Sequence, residues 1–88
     1  MIHVTRFSAP WCGPCKMLAP EFEKLEKQFT DVKFITVNVE EKPTIAQLYE
    51  IRSVPTVIIE KNNSTVARMV GLYSKQKYID AITDAMTD

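Results

Sequence analysis

The two cysteines of the chain stand three positions apart, in the segment Trp11-Cys12-Gly13-Pro14-Cys15-Lys16, and the sequence has no others. Thiols at this spacing can close into a small disulfide ring and open again. In the loop-entropy model a four-residue ring stabilises a fold by about 1.9 kcal/mol, against about 3 kcal/mol for a 15-residue loop. Because so short a ring holds little of the chain together, we interpret the pair as a redox-active disulfide rather than a structural one.

Length and charge exclude several classes of protein. Eighty-eight residues suffice for one core, and we expect residues 1–88 to form a single domain. Eleven basic and eleven acidic side chains cancel, so nothing in the net charge favours nucleic acid or an acidic membrane surface. No apolar run approaches the roughly 18 residues of a transmembrane helix, and Met1–Arg6 lacks the features of a signal peptide. We therefore expect a cytoplasmic protein that binds neither nucleic acid nor membrane. We also expect a monomer.

Hydrophobic periodicity and turn residues predict the element order β-α-β-α-β-β-α. The predicted strands are 2–7, 33–39, 56–60 and 65–70, and the predicted helices are 13–29, 44–49 and a last one beginning after Ser74. The first crossover makes its two strands parallel, whereas the hairpin after residue 60 makes the last strand antiparallel to its neighbour. The expected fold class is therefore α/β, with a four-stranded mixed sheet and helices on both faces.

Two smaller expectations concern the second and third helices. Ile45, Leu48 and Tyr49 lie at helical spacing, so we expect the second helix to turn them towards the core. Ser74 has a side chain suited to an N-cap and is expected to cap the last helix.

The sequence resembles the thioredoxin family. Trp11–Lys16 matches the active-site hexapeptide of the family residue for residue, and Ile51–Thr56 is similar to its second signature. Val70-Gly71 is similar to the glycine segment near the substrate groove. The resemblance runs from about Val4 to the C-terminus and implies a minimal thioredoxin fold. It also implies a cis Val54–Pro55 peptide bond that faces the cysteines, although base rates alone favour trans.

The resemblance assigns a role to each residue of the motif. Cys12 is expected to attack the substrate disulfide as a thiolate, since free N–H groups and the helix dipole at a helix start favour negative charge. The dipole contributes at most about 2 kcal/mol, or roughly 1.5 pKa units. Cys15, less exposed and one turn on, is expected to resolve the mixed disulfide. Gly13 and Pro14 set the geometry between the two, and Lys16 supports the site.

The same resemblance implies a substrate groove. The Val54 backbone beside Pro55 is expected to pair with an extended client segment, which is β-strand recognition. An apolar surface would complete the groove, formed by Trp11, Ala9, Pro10, Gly71 and Leu72. The alternative for Trp11 is ordinary packing in the core.

The function implied by the resemblance is reduction of protein disulfides by dithiol–disulfide exchange, with no bound cofactor and no metal. Electrons would come from a thioredoxin reductase and ultimately from NADPH. Disulfide-containing proteins are the expected clients, with ribonucleotide reductase among them.

Several alternatives stay open at this point. One is a glutaredoxin-like enzyme that uses glutathione, although Trp-Cys-Gly-Pro-Cys differs from the Cys-Pro-Tyr-Cys usual in that group. Another is a disulfide oxidant or isomerase. A third is a non-catalytic binding subunit that uses only the surface around the motif. A zinc site from Cys12, Cys15 and His3 would lack a fourth ligand in a monomer.

The chain departs from the family pattern in two ways. Arg6 stands where the family usually has a buried aspartate, and Thr36 stands where it has a lysine. We hypothesise that Arg6 lies under the active site and favours thiolates by its charge, which would make the protein more oxidising. The alternative is that Arg6 reaches water along its stem. The resemblance also implies that the chain lacks the strand and helix that usually precede this segment, and a viral form of this kind is a hypothesis.

Overall fold

The computed structural model describes residues 1–87, and its seven elements follow the predicted order. The strands are β1 (Ile2–Ser8), β2 (Lys33–Asn38), β3 (Thr56–Lys61) and β4 (Ser64–Val70), and the helices are α1 (Gly13–Gln28), α2 (Pro43–Leu48) and α3 (Lys75–Met86). Every bound lies within about one residue of its prediction, the usual uncertainty of element ends. No helix in residues 1–87 is both long and apolar enough to cross a bilayer.

The sheet has the strand order β2-β1-β3-β4. Strand β1 runs parallel to β2 and antiparallel to β3, and β3 is antiparallel to β4. This confirms the predicted α/β fold with a four-stranded mixed sheet. The register also positions the site, because Phe7 near the end of β1 pairs with Thr56 at the start of β3. The segments that follow Ser8 and precede Thr56 therefore meet at the same end of the sheet.

Apolar side chains lie on both faces of the sheet, because successive side chains of a strand point to opposite faces. The larger cluster lies between the sheet and helices α1 and α3, and its members include Val4, Leu18, Phe22, Leu25, Val57, Ile59, Tyr78 and Ile82. Phe7, Val37 and Ile58 form the cluster on the opposite face, with Tyr49 and Ile51 against it. Helices thus cover both faces, and α1 is held along its buried stripe.

The prediction for α2 is wrong for two of its three inward residues. Leu48 is 77% exposed and Ile45 is also exposed, while the buried residue of the helix is Ala46. The helix is only six residues long, and the chain leaves helical geometry at Glu50, whose φ is 54°. Tyr49 therefore reaches the sheet from beyond the helix, with its ring centroid 5.4 Å from that of Phe7.

Ser74 occupies the N-cap position of α3, but its side chain makes no capping hydrogen bond. Its backbone carbonyl accepts from the Lys77 N–H at 3.0 Å instead. The expected hydroxyl cap is therefore wrong, because the first turn is closed by backbone atoms.

Candidate active site

The two cysteines lie at the start of α1 and are joined in a disulfide. Cys12 is the N-cap residue, with extended backbone (φ −89°, ψ 111°), and its Sγ accepts a hydrogen bond from the Cys15 N–H at 3.2 Å. Pro14 lies in the first turn of the helix, where a missing N–H costs nothing. The helix start therefore directs a free N–H at the Cys12 sulfur.

Both cysteines are buried in this oxidised form, with Cys12 4% exposed and Cys15 2% exposed. The expected difference in exposure between them is thus small. They pack with Ala9, and Val39 and Val54 lie against the cluster. Cys12 thus offers little surface to a partner in this form.

The loop before β3 brings a backbone carbonyl to Cys12. The Val54–Pro55 peptide bond is cis, and the Val54 carbonyl oxygen lies 3.6 Å from Cys12 Sγ. Pro55 is buried, and the Thr56 hydroxyl donates to the Ser53 carbonyl at 2.8 Å. These contacts hold the loop beside the sulfur, with Val54 half-buried at the surface.

Gly71 joins the same end of the sheet through a backbone hydrogen bond. Its N–H donates to the Pro55 carbonyl at 2.8 Å, and its φ of +96° is one that a side chain would strain. The Tyr78 hydroxyl donates to the Gly71 carbonyl at 3.3 Å and accepts from the Tyr73 N–H at 3.2 Å. Tyr78 therefore positions this loop, a role that was not predicted from the sequence. Leu72 follows with 42% of its surface exposed.

Trp11 is 67% exposed, so it is not a core residue. Its indole Nε1–H donates to the Glu40 carboxylate at 2.6 Å. Together with five residues of the neighbouring segments it lines a groove of about 150 Å³, formed by Trp11, Val39, Ile51, Arg52, Ser53 and Val54. Glu40 was not predicted as a site residue, because only the folded chain brings it to the indole.

Arg6 lines a different cleft, on the Cys15 side of the motif. Its Nη2 donates to the Thr36 hydroxyl at 3.2 Å, and its guanidinium carbon lies 5.0 Å from the centre of the Phe22 ring. Burial lowers the pKa of Arg6, while the charges of Glu26 and Glu23 act in the opposite direction. Its Nε–H is buried and has no acceptor among residues 1–87. Arg6 thus shares a cleft with Cys15, and its head group makes an exposed hydrogen bond.

The remaining motif residues are peripheral. Gly13, Pro14 and Lys16 are exposed, and Lys16 lines the cleft that contains Arg6. Residues 1–87 contain no group of three or more His, Cys, Asp or Glu side chains that could hold a metal. His3 lies instead with Tyr49 and Glu60 around another cleft, so the zinc hypothesis has no ligand set in this part of the chain.

A family model described as Thioredoxin matches residues 1–84. The chain is 42% identical over 77 residues to a thioredoxin of Mycoplasma genitalium, and this alignment covers 88% of this chain and 76% of that protein. It is 46% identical over 70 residues to thioredoxin 1 of Synechococcus elongatus, and this alignment covers 78% of this chain and 65% of that protein. The chain thus spans about two thirds to three quarters of these relatives.

Solved structures give the same result. A mutant thioredoxin from Halobacterium salinarum matches with a TM-score of 0.90 at 34% identity, covering 96% of this chain and 74% of that one. Fasciola hepatica thioredoxin matches with a TM-score of 0.90 at 33% identity, covering 96% and 80%. The chain therefore belongs to the thioredoxin family, whose members are thiol–disulfide oxidoreductases with a redox-active cysteine pair.

Proposed function

We propose that this chain reduces protein disulfides through Cys12 and Cys15. The observation that carries the proposal is the position of Cys12 Sγ, which accepts from the Cys15 N–H at a helix start and lies 3.6 Å from the Val54 carbonyl. The N–H and the helix dipole favour a thiolate. The carbonyl oxygen can accept a hydrogen bond from a Cys12 thiol.

Cys12 is the nucleophile in the proposed reaction. Its thiolate attacks one sulfur of the client disulfide, and the other client sulfur leaves as a thiolate that takes up a proton. A mixed disulfide between Cys12 and the client results. Cys15 then loses its proton and attacks Cys12 Sγ, which forms the internal disulfide and releases the second client thiol.

The client lies in the groove beside Trp11 in this proposal. Val54 supplies a backbone edge next to the sulfur, and an extended segment can pair with such an edge. Trp11, half-buried Val54 and exposed Leu72 offer apolar surface around it. Gly71 supports this surface from below through its hydrogen bond to Pro55.

Recycling and location are proposed from the family. A thioredoxin reductase that draws electrons from NADPH would restore the dithiol, and no cofactor would be bound to this chain. The clients would be disulfide-containing proteins of the cytoplasm, with ribonucleotide reductase among them.

Insulin reduction tests the proposal. One reaction contains NADPH and thioredoxin reductase, and a second contains glutathione and glutathione reductase. Turnover in the first reaction alone is expected. Turnover in the second alone would assign the protein to glutathione-dependent chemistry, and activity with dithiothreitol but neither reductase would point to another electron donor.

Two cysteine variants separate catalysis from binding. Cys15→Ser should accumulate a covalent mixed disulfide with insulin, detectable by mass under non-reducing conditions, since resolution is blocked. The double variant Cys12→Ser, Cys15→Ser should form no adduct and reduce nothing. If the double variant retained the biological function, the chain would be a binding subunit and the proposal would be wrong.

A further inference from the structure

A second cleft opens on the Cys15 side of the motif, separate from the groove of Trp11. Its volume is about 310 Å³, far above the roughly 15 Å³ that one water molecule needs. It lies where the parallel strands β1 and β2 end, since Ser8 and Asn38 are their last residues. The other residues that matter for its chemistry are Arg6, Thr36, Cys15 and Lys16.

The lining of this cleft is cationic. Arg6 and Lys16 are its charged residues, and none of the residues that line it is a carboxylate or a histidine. The end of the Arg6 head group is exposed and donates one N–H to Thr36, while its Nε–H is buried away from solvent. Glu23 and Glu26 attract Arg6 but do not line the cleft. The side chains therefore offer donors and positive charge to an anion, with hydroxyl and amide groups beside them.

The proposed reaction needs a base at this place. The Cys15 thiol must lose a proton before it attacks Cys12 Sγ. A guanidinium is always protonated and a lysine ammonium has no acceptor lone pair, so neither Arg6 nor Lys16 can take that proton in its charged form. No residue that lines the cleft can therefore act as the base in its ordinary charge state, and an acceptor from solution can take that place.

We propose that the cleft binds a small oxyanion of a weak acid, such as inorganic phosphate or a short carboxylate, which accepts the proton of Cys15. The inference rests on the proposed function. The oxyanion takes the proton of the Cys15 thiol, and the resulting thiolate attacks Cys12 Sγ. The new Cys12–Cys15 bond forms as the bond from Cys12 to the client breaks. The client sulfur leaves with the electron pair of that bond, and the protonated oxyanion returns the proton to it or to water.

Binding is tested on the oxidised protein, where no turnover is needed. Inorganic phosphate is titrated into ¹⁵N-labelled protein at constant ionic strength, with chloride as the balancing ion. We expect saturable shifts of the Ser8, Lys16 and Asn38 amide signals, lost in Arg6→Gln and retained in Lys27→Gln. Lys27 lies on α1, as Lys16 does, but it does not line the cleft. Linear shifts, or the same saturation in Arg6→Gln, would overturn the proposal.

The proton-transfer role is tested by the rate of the second step. A preformed mixed disulfide with a small aromatic thiol is mixed rapidly into phosphate or acetate at one pH and ionic strength, and release of the thiol is followed by its absorbance. We expect the rate to rise roughly tenfold and saturate, below the full range of about 10² to 10⁴ for general bases. Saturation should disappear in Arg6→Gln and remain in Lys27→Gln.

A rate of thiol release that is linear in buffer concentration and equal in wild type and Arg6→Gln would mean that the buffer acts from bulk solution. It would refute the proton-transfer role of the cleft. If Arg6→Gln does not fold, Lys16→Gln replaces it, because Lys16 is exposed and lines the same cleft. Failure of the proposed function is distinguishable from failure of this inference, since a chain that reduces no protein disulfide can still be titrated with phosphate.

Discussion

Replacing Arg6 by glutamine should lower the reduction potential of the Cys12–Cys15 pair. The guanidinium shares a cleft with Cys15, and a nearby cation stabilises a thiolate but not the neutral disulfide. Removing the charge therefore destabilises the reduced form relative to the oxidised form. Arg6 keeps its charge throughout the accessible pH range, even though burial lowers its pKa.

The separation between the Arg6 charge and the Cys15 sulfur sets the magnitude of the shift in reduction potential. Both residues line one cleft, and for the estimate we take a separation of about 8 Å between the charge and the sulfur. Coulomb's law then gives about 2 kcal/mol at an effective dielectric of 20 and about 0.5 kcal/mol in water. At about 30 mV for each 1.4 kcal/mol, the expected shift is about 10 to 45 mV towards more negative potentials. Glu23 and Glu26, which also act on Arg6, favour the lower part of this range.

The assay equilibrates each protein with dithiothreitol redox buffers and follows the fluorescence of Trp11, the only tryptophan. Arg6→Lys retains the charge and should keep most of the wild-type potential, while Lys27→Gln serves as the surface control. The difference between wild type and Arg6→Gln should be full above the thiol pKa values and should vanish in acid, where both thiols are protonated. An unchanged potential in Arg6→Gln, or an equal shift in Arg6→Lys, would refute the electrostatic reasoning.

Three further substitutions test other parts of the site and its scaffold. Glu40→Ala removes the acceptor of the Trp11 indole, and an exposed bond of this kind contributes up to about 1 kcal/mol. We therefore expect KM for insulin to rise up to about fivefold, with the neighbouring Glu41→Ala as a control that leaves it unchanged. Leu25→Ala empties a fully buried position and should lower the free energy of unfolding in urea by about 2.7 to 5 kcal/mol; a loss below about 1 kcal/mol would contradict the packing. Burial raises the pKa of Tyr78, so its stabilising contribution is present below about pH 10 and is lost as pH rises through the folded pKa. Tyr78→Phe should therefore weaken the alkaline fall in stability, and an identical alkaline profile would speak against this assignment.

Long periodic segments of the sequence sufficed to predict the scaffold. Leu18, Phe22 and Leu25 follow each other by four and three residues, and all three are buried in α1. Periodicity did not predict the buried residues of the short helix α2. Leu48 is its last residue, and tertiary contacts of Tyr49 decide how the segment lies. A pattern of one or two turns does not define a face.

The chemistry of the motif was predictable from local sequence, but its surroundings were not. The position of Cys12 at a helix start follows from Pro14 and the apolar period behind it. The contact of Glu40 with Trp11 and that of Tyr78 with Gly71 join residues 29 and 7 positions apart. Both depend on how the strands and helices are placed in space, and neither residue type is unusual where it stands.

The departures at Arg6 and Thr36 show how the fold changes the meaning of a substitution. Taken separately along the sequence, they are the loss of an expected aspartate and the loss of an expected lysine. In the sheet they are direct neighbours of the parallel pair β1–β2, joined by the bond from the guanidinium to the hydroxyl. The expected pair of an aspartate and a lysine is thus replaced by the cation of Arg6 and the neutral hydroxyl of Thr36. The cleft beside Cys15 is therefore lined by two cations and no carboxylate, which is the charge pattern on which the expected shift in potential and the proposed anion site both depend.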